Sequence, residues 1–255
     1  MKFSTFFLAA AIASIAVPAS AQMSFAEAQV AIESTDASQI QAGIETIGIS
    51  GETRGVPVII ARVRRGLTPP LLESALDTLA VLGRPEAGPV LIELLSHRRA
   101  SIRLRAVQAL GTCHPAGADQ ALASALSDSS PDVRAAAATA LGDVGGTGAM
   151  DALFLAFDRG VPEAGSAIAR LARPADVTRM LGLLGHVPFT QMGPILADML
   201  GRTTVPSRSR LEIVAALGEL ASAESRTLLE QYAQAHPGSD PVTRAAEAAA
   251  ARIAQ

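Results

Sequence analysis

Three stretches of the chain repeat one pattern of apolar, small and arginine residues, and each ends in glycine. They are residues 102–111, 133–142 and 209–218. Weaker copies end at Gly48, Gly83 and Ala172, so the unit recurs about every 30 residues, with one long gap before Gly218. A period of this length is typical of chains built from stacked copies of one small structural unit.

Each copy predicts a helix, a tight turn and a second helix. Leu104, Val107 and Leu110 lie three residues apart, which places them on one helical face. The glycine after such a face predicts a left-handed residue that ends the helix. Turn residues and a second apolar run follow, as in residues 88–95, where Gly-Pro begins the run. Since one hairpin cannot bury its apolar faces alone, we expect a right-handed, all-α solenoid of stacked helix pairs.

Residues 130–142, which run Ser-Pro-Asp-Val-Arg through Ala-Leu-Gly, are the best copy of the unit, and residues 101–111 are the next best. In this pattern the chain resembles HEAT-like repeats of the phycobilisome-lyase type. The resemblance implies a helical-hairpin solenoid over about residues 38–255. It implies much less about function, because some members attach chromophores and most proteins with these repeats do not.

The repeat pattern slips between Ala172 and Gly218. Residues 189–201 predict a helix, and residues 202–207 a polar loop. The helix is either an unpaired insertion or the start of a degenerate repeat whose second helix is 208–221. We favour the second, because it keeps helices alternating, and we expect a local bend there. The solenoid then has about six repeats over 38–255, closed by a helix at 241–254, and residues 22–37 form an N-terminal cap or linker.

The first 21 residues have the features of a secretory signal peptide. Lys2 supplies a positive start, residues 3–17 are mostly apolar, and Ala-Ser-Ala at 19–21 is a cleavage site. We therefore expect a mature chain that begins at Gln22 in the periplasm or outside the cell. Charged residues, glycine or proline interrupt every later apolar stretch, so no integral membrane segment is expected after cleavage.

Composition argues against a nucleic-acid partner. Lys2 is the only lysine, and the formal net charge is −3, whereas a broad nucleic-acid footprint needs a basic excess. Aromatic residues make up 3% of the chain, too few for a stacking platform. Cys113 is the single cysteine, so stability must come from packing and any disulfide must be intermolecular.

Arginines recur at set positions of the repeat. Arg103, Arg134 and Arg210 occupy one position, and we interpret them as partners of Asp or Glu in a neighbouring repeat, rather than as a positive ladder along a groove. A second group consists of Arg62 and Arg65 with His97, Arg98 and Arg99. Regular stacking would bring these five together as an acid- or phosphate-binding patch. The alternative, which we favour, is cations near helix C-termini, with helix ends at Gly66 and Ala100.

No motif in the chain predicts catalysis, a metal site or a cofactor. Cys113 and His114 are adjacent in a turn, where the imidazole rarely reaches the thiol, and the other histidines fall in different repeats. The recurring aspartates, such as Asp128 and Asp143, lie near predicted helix boundaries, where capping is their common role.

We therefore predict a non-catalytic scaffold that binds a protein partner on its concave face, lined by the second helix of each repeat. By register, the residues of this face are Arg62, Arg65, Glu93, His97, Arg98, Arg99, Gln120, Ser124, Asp151 and Asp158. The alternative is an accessory or lyase-like protein that holds a small ligand or tetrapyrrole, which needs a deep pocket with convergent polar groups. A purely structural role in the envelope is a third possibility.

Overall fold

The computed structural model describes residues 23–146 and 148–254, so the predicted signal peptide lies outside the described residues. These residues form fifteen α-helices and, within the described ranges, no strand. The helices are α1 (Phe25–Ala31), α2 (Ala37–Ser50), α3 (Gly55–Arg65), α4 (Pro69–Leu82), α5 (Gly88–Leu94), α6 (Ala100–Cys113), α7 (Ala118–Ala125), α8 (Pro131–Val144), α9 (Ala149–Asp158), α10 (Pro162–Leu171), α11 (Pro174–Leu181), α12 (Phe189–Gly201), α13 (Ser207–Leu220), α14 (Ala223–Ala235) and α15 (Pro241–Ile253). The prediction of an all-α solenoid is confirmed.

Successive helices alternate between two layers. The even layer contains α2, α4, α6, α8, α10, α12 and α14, and the odd layer contains the other helices. Each even helix packs on the even helix before and after it, and its odd neighbours cover its other side. Side chains from Phe25 to Ala250 form one continuous buried core between the layers. The described residues therefore contain α1 and seven helix pairs, one pair more than the sequence predicted.

The extra pair comes from the region where the repeat pattern slips. Helix α12 begins and ends where the sequence predicted, and α13 follows it after a short loop. Helix α12 packs between α10 and α14, and α13 packs between α11 and α15. The alternation of layers is thus preserved, which confirms the interpretation as a degenerate repeat.

Most of the glycines that ended the sequence repeats lie inside helices and do not end them. Gly111 and Gly142 lie inside α6 and α8, and among the weaker copies only Gly83 is a left-handed C-cap. A Cβ on Gly111 would lie 2.9 Å from the Cβ of Ala140, and a Cβ on Gly142 would lie 2.8 Å from that of Ala167. Because these distances are shorter than van der Waals contact, the glycines are required for close approach of neighbouring even helices.

The two layers differ in how closely the consecutive helices of a layer pack on one another. From α2 to α10 the even helices pack closely on one another, whereas α5, α7 and α9 contact each other sparsely. In a curved stack the inner layer has the shorter spacing, so the even layer forms the inner side here. At the C-terminal end α13 and α15 pack more closely than α12 and α14 do. The closely packed layer therefore changes from even to odd near α12.

Candidate functional site

Two large apolar side chains are exposed at equivalent places on neighbouring even helices. Ile49 of α2 is 79% exposed and Val81 of α4 is 72% exposed. Each lies two residues after a fully buried residue, Ile47 in α2 and Leu79 in α4, and two residues before the C-cap glycine. This phase turns both side chains away from the core, so they form a short apolar row on the solvent-facing surface of the even layer.

One helical turn before each apolar residue lies a carboxylate. Glu45 precedes Ile49 by four residues, and Asp77 precedes Val81 by four residues. Both carboxylates are on the solvent side of their helices. Residues four apart lie one above the other on a helix, so an acidic row runs beside the apolar row. We call these four residues the α2–α4 face.

The acidic character continues along the even layer. Helices α2, α4, α6, α8 and α10 have six carboxylates and four guanidinium groups, of which Arg103 and Arg134 bind carbonyls of the preceding turns. The carboxylates are those of Glu45, Glu73, Asp77, Asp132, Asp143 and Glu163. Arg105 forms ion pairs with Glu73 and Asp77, and Arg170 with Asp143 at 2.6 Å. These pairs join neighbouring even helices and leave the surface net negative.

Most residues of the face predicted from the sequence lie on the odd layer or in the turns after it. Glu93, Gln120, Ser124, Asp151 and Asp158 are exposed on α5, α7 and α9. Only Asp151 has an ionic partner among the described residues, Arg179 of α11 at 2.7 Å. The odd layer has the wider spacing in this part of the stack. The sequence placed the second helices on the concave side, whereas the spacing places the first helices there.

Arg62 and Arg65 of the predicted arginine–histidine patch bind groups outside that patch. The guanidinium of Arg65 pairs with both carboxylate oxygens of Glu33, and Arg62 donates to the carbonyl of Gly66 at 3.0 Å. The expected helix end at Gly66 is confirmed, whereas that at Ala100 is wrong, because α5 ends at Leu94 and residues 95–99 form the turn before α6.

Arg103 has the structural role that the sequence predicted. It forms a bidentate ion pair with Asp128, with both bonds at 2.7 Å, and the two side chains are 12% and 11% exposed. The guanidinium holds the pKa of the Asp128 carboxyl below its ordinary value. Arg134, at the same repeat position, bonds instead to the carbonyls of Asp128 and Ser129. Arg103 also donates to the carbonyls of His97 and Arg98, so each arginine holds the turn before its own helix, and Arg103 in addition joins α6 to the turn before α8.

Arg210 differs from Arg103 and Arg134, because α13 lies in the odd layer. Its guanidinium donates to the hydroxyl of Ser207 at 3.2 Å. The sequence treated residues 209–218 as a copy of α6 and α8, which is correct for local packing, since Gly218 faces Ala249 of α15. The sequence also favoured this segment as the second helix of a degenerate repeat, and α13 lies in the odd layer with the other second helices.

Cys113 and His114 do not form a reactive pair. The thiol is buried, and Sγ lies 3.5 Å from the carbonyl oxygen of Leu79. Burial raises the pKa of the Cys113 thiol, which disfavours the nucleophilic thiolate. His114 is the left-handed C-cap of α6, and its side chain is exposed.

A groove of about 420 Å³ opens between α12 and α14, where even helices are less closely packed. Its lining is mainly apolar and includes Phe189, Pro194, Ala197 and Leu228. Glu224 is the one charged lining residue in the described groove. This volume is in the range of small-molecule sites, although the groove is open to solvent.

Two further observations concern only the described residues. No helix among them is both long and apolar enough to span a bilayer. No three of their His, Cys, Asp and Glu side chains are grouped so that they could hold a metal ion.

Comparison with known proteins identifies the repeat type. The family model for HEAT repeats matches residues 88–172, which cover α5 to α10. No curated protein sequence matches the chain significantly.

Among solved structures, a chain in the complex of CpcE and CpcF of phycocyanin lyase from Nostoc sp. PCC7120 is similar with a TM-score of 0.53. It is 17% identical, and the match covers 96% of this chain and 100% of that one. An engineered protein (TM-score 0.48, 18% identity) matches over 87% of this chain and 70% of its own. A designed armadillo repeat protein (TM-score 0.42, 16% identity) matches over 90% of this chain and 100% of its own. The chain therefore has the fold of a HEAT-like α-solenoid, and its residues 88–172 match the HEAT-repeat family.

Proposed function

We propose that this chain is an exported, non-catalytic scaffold that binds a protein partner on the α2–α4 face. The observation that carries the proposal is the exposure of Ile49 and Val81 at equivalent positions of adjacent helices. Single exposed apolar residues are common, whereas neighbouring ones framed by charge are typical of interaction surfaces. Burying both against a partner would remove apolar surface from water, which favours association.

The position of the face supports the same proposal. Exposed side chains of the even layer lie on the inner side of the curve, where one partner can contact several helices at once. The similar chain from Nostoc is found in a complex of two proteins, CpcE and CpcF. A protein partner for this chain agrees with that precedent, and export agrees with the signal-like residues 1–21.

Site-specific photo-cross-linking in cells tests the proposal. A photoreactive amino acid at position 81 samples the even layer, and the same residue at position 155 is its matched control. Leu155 of α9 is 49% exposed on the odd layer, so both positions are apolar and accessible. We expect one protein to be cross-linked from position 81 and none from position 155.

Purified partner then allows a quantitative test. We expect the variant I49S/V81S to bind it at least about tenfold more weakly, with no change in thermal unfolding, because both side chains are exposed. Cross-linking from position 155 alone, or unchanged affinity of I49S/V81S, would place the partner on another surface. The first result would favour the odd-layer residues predicted from the sequence.

A second candidate function is retention of a small ligand such as a tetrapyrrole, favoured by the groove between α12 and α14. Titration of the protein with a linear tetrapyrrole, followed by absorbance, tests it. The variant F189S would weaken binding if the groove is the site, and I49S/V81S is the control. Failure of the wild-type protein to change the pigment's spectrum would exclude this function for that pigment.

A further inference from the structure

The α2–α4 face has two parallel rows, and their geometry restricts the partner. The rows lie one helical turn apart, about 5.4 Å along the axis of each helix. Along a row, the step from α2 to α4 is the distance between packed helices, about 8–10 Å. A partner that follows the rows must therefore present apolar and charged side chains on two adjacent tracks with this repeat.

The charge of the surface defines the sign of those partner side chains. On α2, α4 and α6 the exposed carboxylates of Glu45, Glu73 and Asp77 face one guanidinium, that of Arg105. Within the described residues Glu45 has no cationic partner and accepts a hydrogen bond from Gln41 at 2.6 Å. Further along the layer, Asp132 and Glu163 also have none. Nucleic acid and anionic lipid would be repelled by this surface, whereas a cationic segment would be attracted.

We propose that the α2–α4 face binds a cationic amphipathic helix of a partner protein, which lies across the even helices. This inference rests on the proposed function and specifies the partner's chemistry. Seven residues of an α-helix span about 10.5 Å, which is close to the step between even helices. Helical residues four apart also differ by about 40° around the helix axis, so arginines four residues from each leucine form a second stripe beside the leucines, on the side of the acidic row.

In this arrangement, apolar side chains at seven-residue spacing contact Ile49 and Val81. Arginine or lysine side chains of the second stripe contact Glu45 and Asp77. The carboxylates set the orientation and favour rapid association, and the apolar row supplies the burial. On α8, Asp143 lies two residues before the C-cap, which is the position of Ile49 and Val81 on their helices, so the surface continues in that direction for a longer helix.

Synthetic helices test the inference on the full mature chain. The probe is a labelled peptide of about 21 residues, with leucine at every seventh position and arginine four residues from each leucine. Two companion peptides have glutamine or glutamate in place of each arginine. Binding is measured by fluorescence anisotropy at about 50 mM and about 500 mM NaCl.

We expect the arginine peptide to bind most tightly and the glutamate peptide least. The variant E45Q/D77N should weaken the arginine peptide at least about tenfold, and high salt should weaken it as well. The control E93Q/D158N removes the same charge from exposed positions of the odd layer and should leave the affinity unchanged. Circular dichroism confirms that each variant is folded.

The outcomes separate this inference from the proposed function. The three peptides could bind equally, with binding reduced by I49S/V81S but not by E45Q/D77N. This result would contradict a cationic partner and would still support binding at the α2–α4 face. Equal loss in E45Q/D77N and E93Q/D158N would overturn recognition at this face, because only overall charge would matter. If none of the three peptides bound, the inference that the partner binds as a helix would be contradicted. In that case photo-cross-linking at position 81 still decides the proposed function.

Discussion

Among the described residues two non-glycine residues, His114 and Ala221, have a positive φ, 46° and 48°. Each is the C-cap of a helix, α6 and α13, at a position where glycine is the usual residue. A Cβ in the left-handed conformation is strained, so both positions are sites where the sequence is less stable than it could be. The sequence pattern did not reveal them, because neither residue type marks a left-handed turn.

Replacing Ala221 by glycine should therefore stabilise the protein. Relief of the strain exceeds the extra chain entropy of glycine, so we expect A221G to raise the free energy of unfolding by about 0.5–1 kcal/mol. Urea denaturation measures this change. The control A215G, at an exposed position inside α13, should lower the free energy of unfolding by about 1 kcal/mol. A lower free energy of unfolding in both variants would mean that Ala221 is not strained.

Asp128 should make stability depend on acid pH. Its pKa is lowered in the folded chain by Arg103, so the stabilisation is present above the unfolded-state pKa of about 3.9. It is lost as the pH falls through the folded-state value. We expect D128N to lower the free energy of unfolding by about 2 kcal/mol at pH 7, with the difference from wild type shrinking below about pH 3.9.

The control for this prediction is D132N. Asp132 is exposed and has no ion-pair partner within the described residues, so the substitution should have little effect at either pH. Urea denaturation of the three proteins at pH 7 and pH 3 gives the comparison. A difference between D128N and wild type that persists unchanged at pH 3 would contradict a role for the ionised carboxylate.

The single thiol should be inert in the native state. Cys113 is 3% exposed, and burial raises its pKa, so we expect iodoacetamide to modify it only after unfolding in urea. Mass spectrometry measures the modified fraction. Rapid labelling of the folded protein, or a disulfide-linked dimer on a non-reducing gel, would show that Cys113 is accessible.

At the scale of helices, the apolar spacing predicted most elements well. Helices α12 and α15 begin at the predicted residues, because a proline before or at the helix start and a regular apolar face are both local signals. The role of Gly111 and Gly142 could not be predicted from the sequence around them. A glycine near the end of an apolar face can end the helix or admit a neighbouring one, and only the position of the next even helix decides between these.

The layer of α13 follows from the order of the helices and not from its own residues. Its residues 209–218 copy those of α6 and α8, and its contact with α15 is of the same type. It lies in the odd layer because two helices, α11 and α12, separate it from α10, whereas one helix separates α6 from α8 and α8 from α10. The concave side could not be predicted in this way, because register places a residue on a helix but does not tell which layer is on the inner side.

A matched pair of glycine substitutions tests the close packing of the helices. A Cβ at Gly142 would lie 3.0 Å from Cα of Ala167 and 2.8 Å from its Cβ, so G142A should lower the free energy of unfolding by about 1–3 kcal/mol. At Gly218 the nearest atom, Cβ of Ala249, would lie at 3.4 Å, an ordinary contact. We expect G218A to raise the free energy of unfolding by about 0.5–1 kcal/mol, since alanine favours a helix.

Urea denaturation of G142A and G218A measures both changes. Equal effects would mean that the even helices separate without cost, and would contradict the requirement for glycine between α8 and α10.

At the scale of the whole molecule, export has a chemical signature. We propose that cleavage follows Ala21, so the mature chain begins at Gln22 and loses Lys2, the only lysine. An amine-reactive ester should then modify the α-amino group alone, which intact-mass spectrometry detects as a single adduct. A second adduct, or a first residue other than Gln22, would contradict this site of cleavage.

The change of the closely packed layer near α12 restricts the length of a bound ligand. The even helices present an inner surface only from α2 to α10, which are five helices with four steps of about 9 Å between them. Beyond that point the same layer turns outward and its helices separate. A straight helix of about 24 residues, some 36 Å long, would fill this surface completely. The solenoid is therefore expected to accept short cationic helices along their full length and to leave the ends of longer ones projecting into solvent.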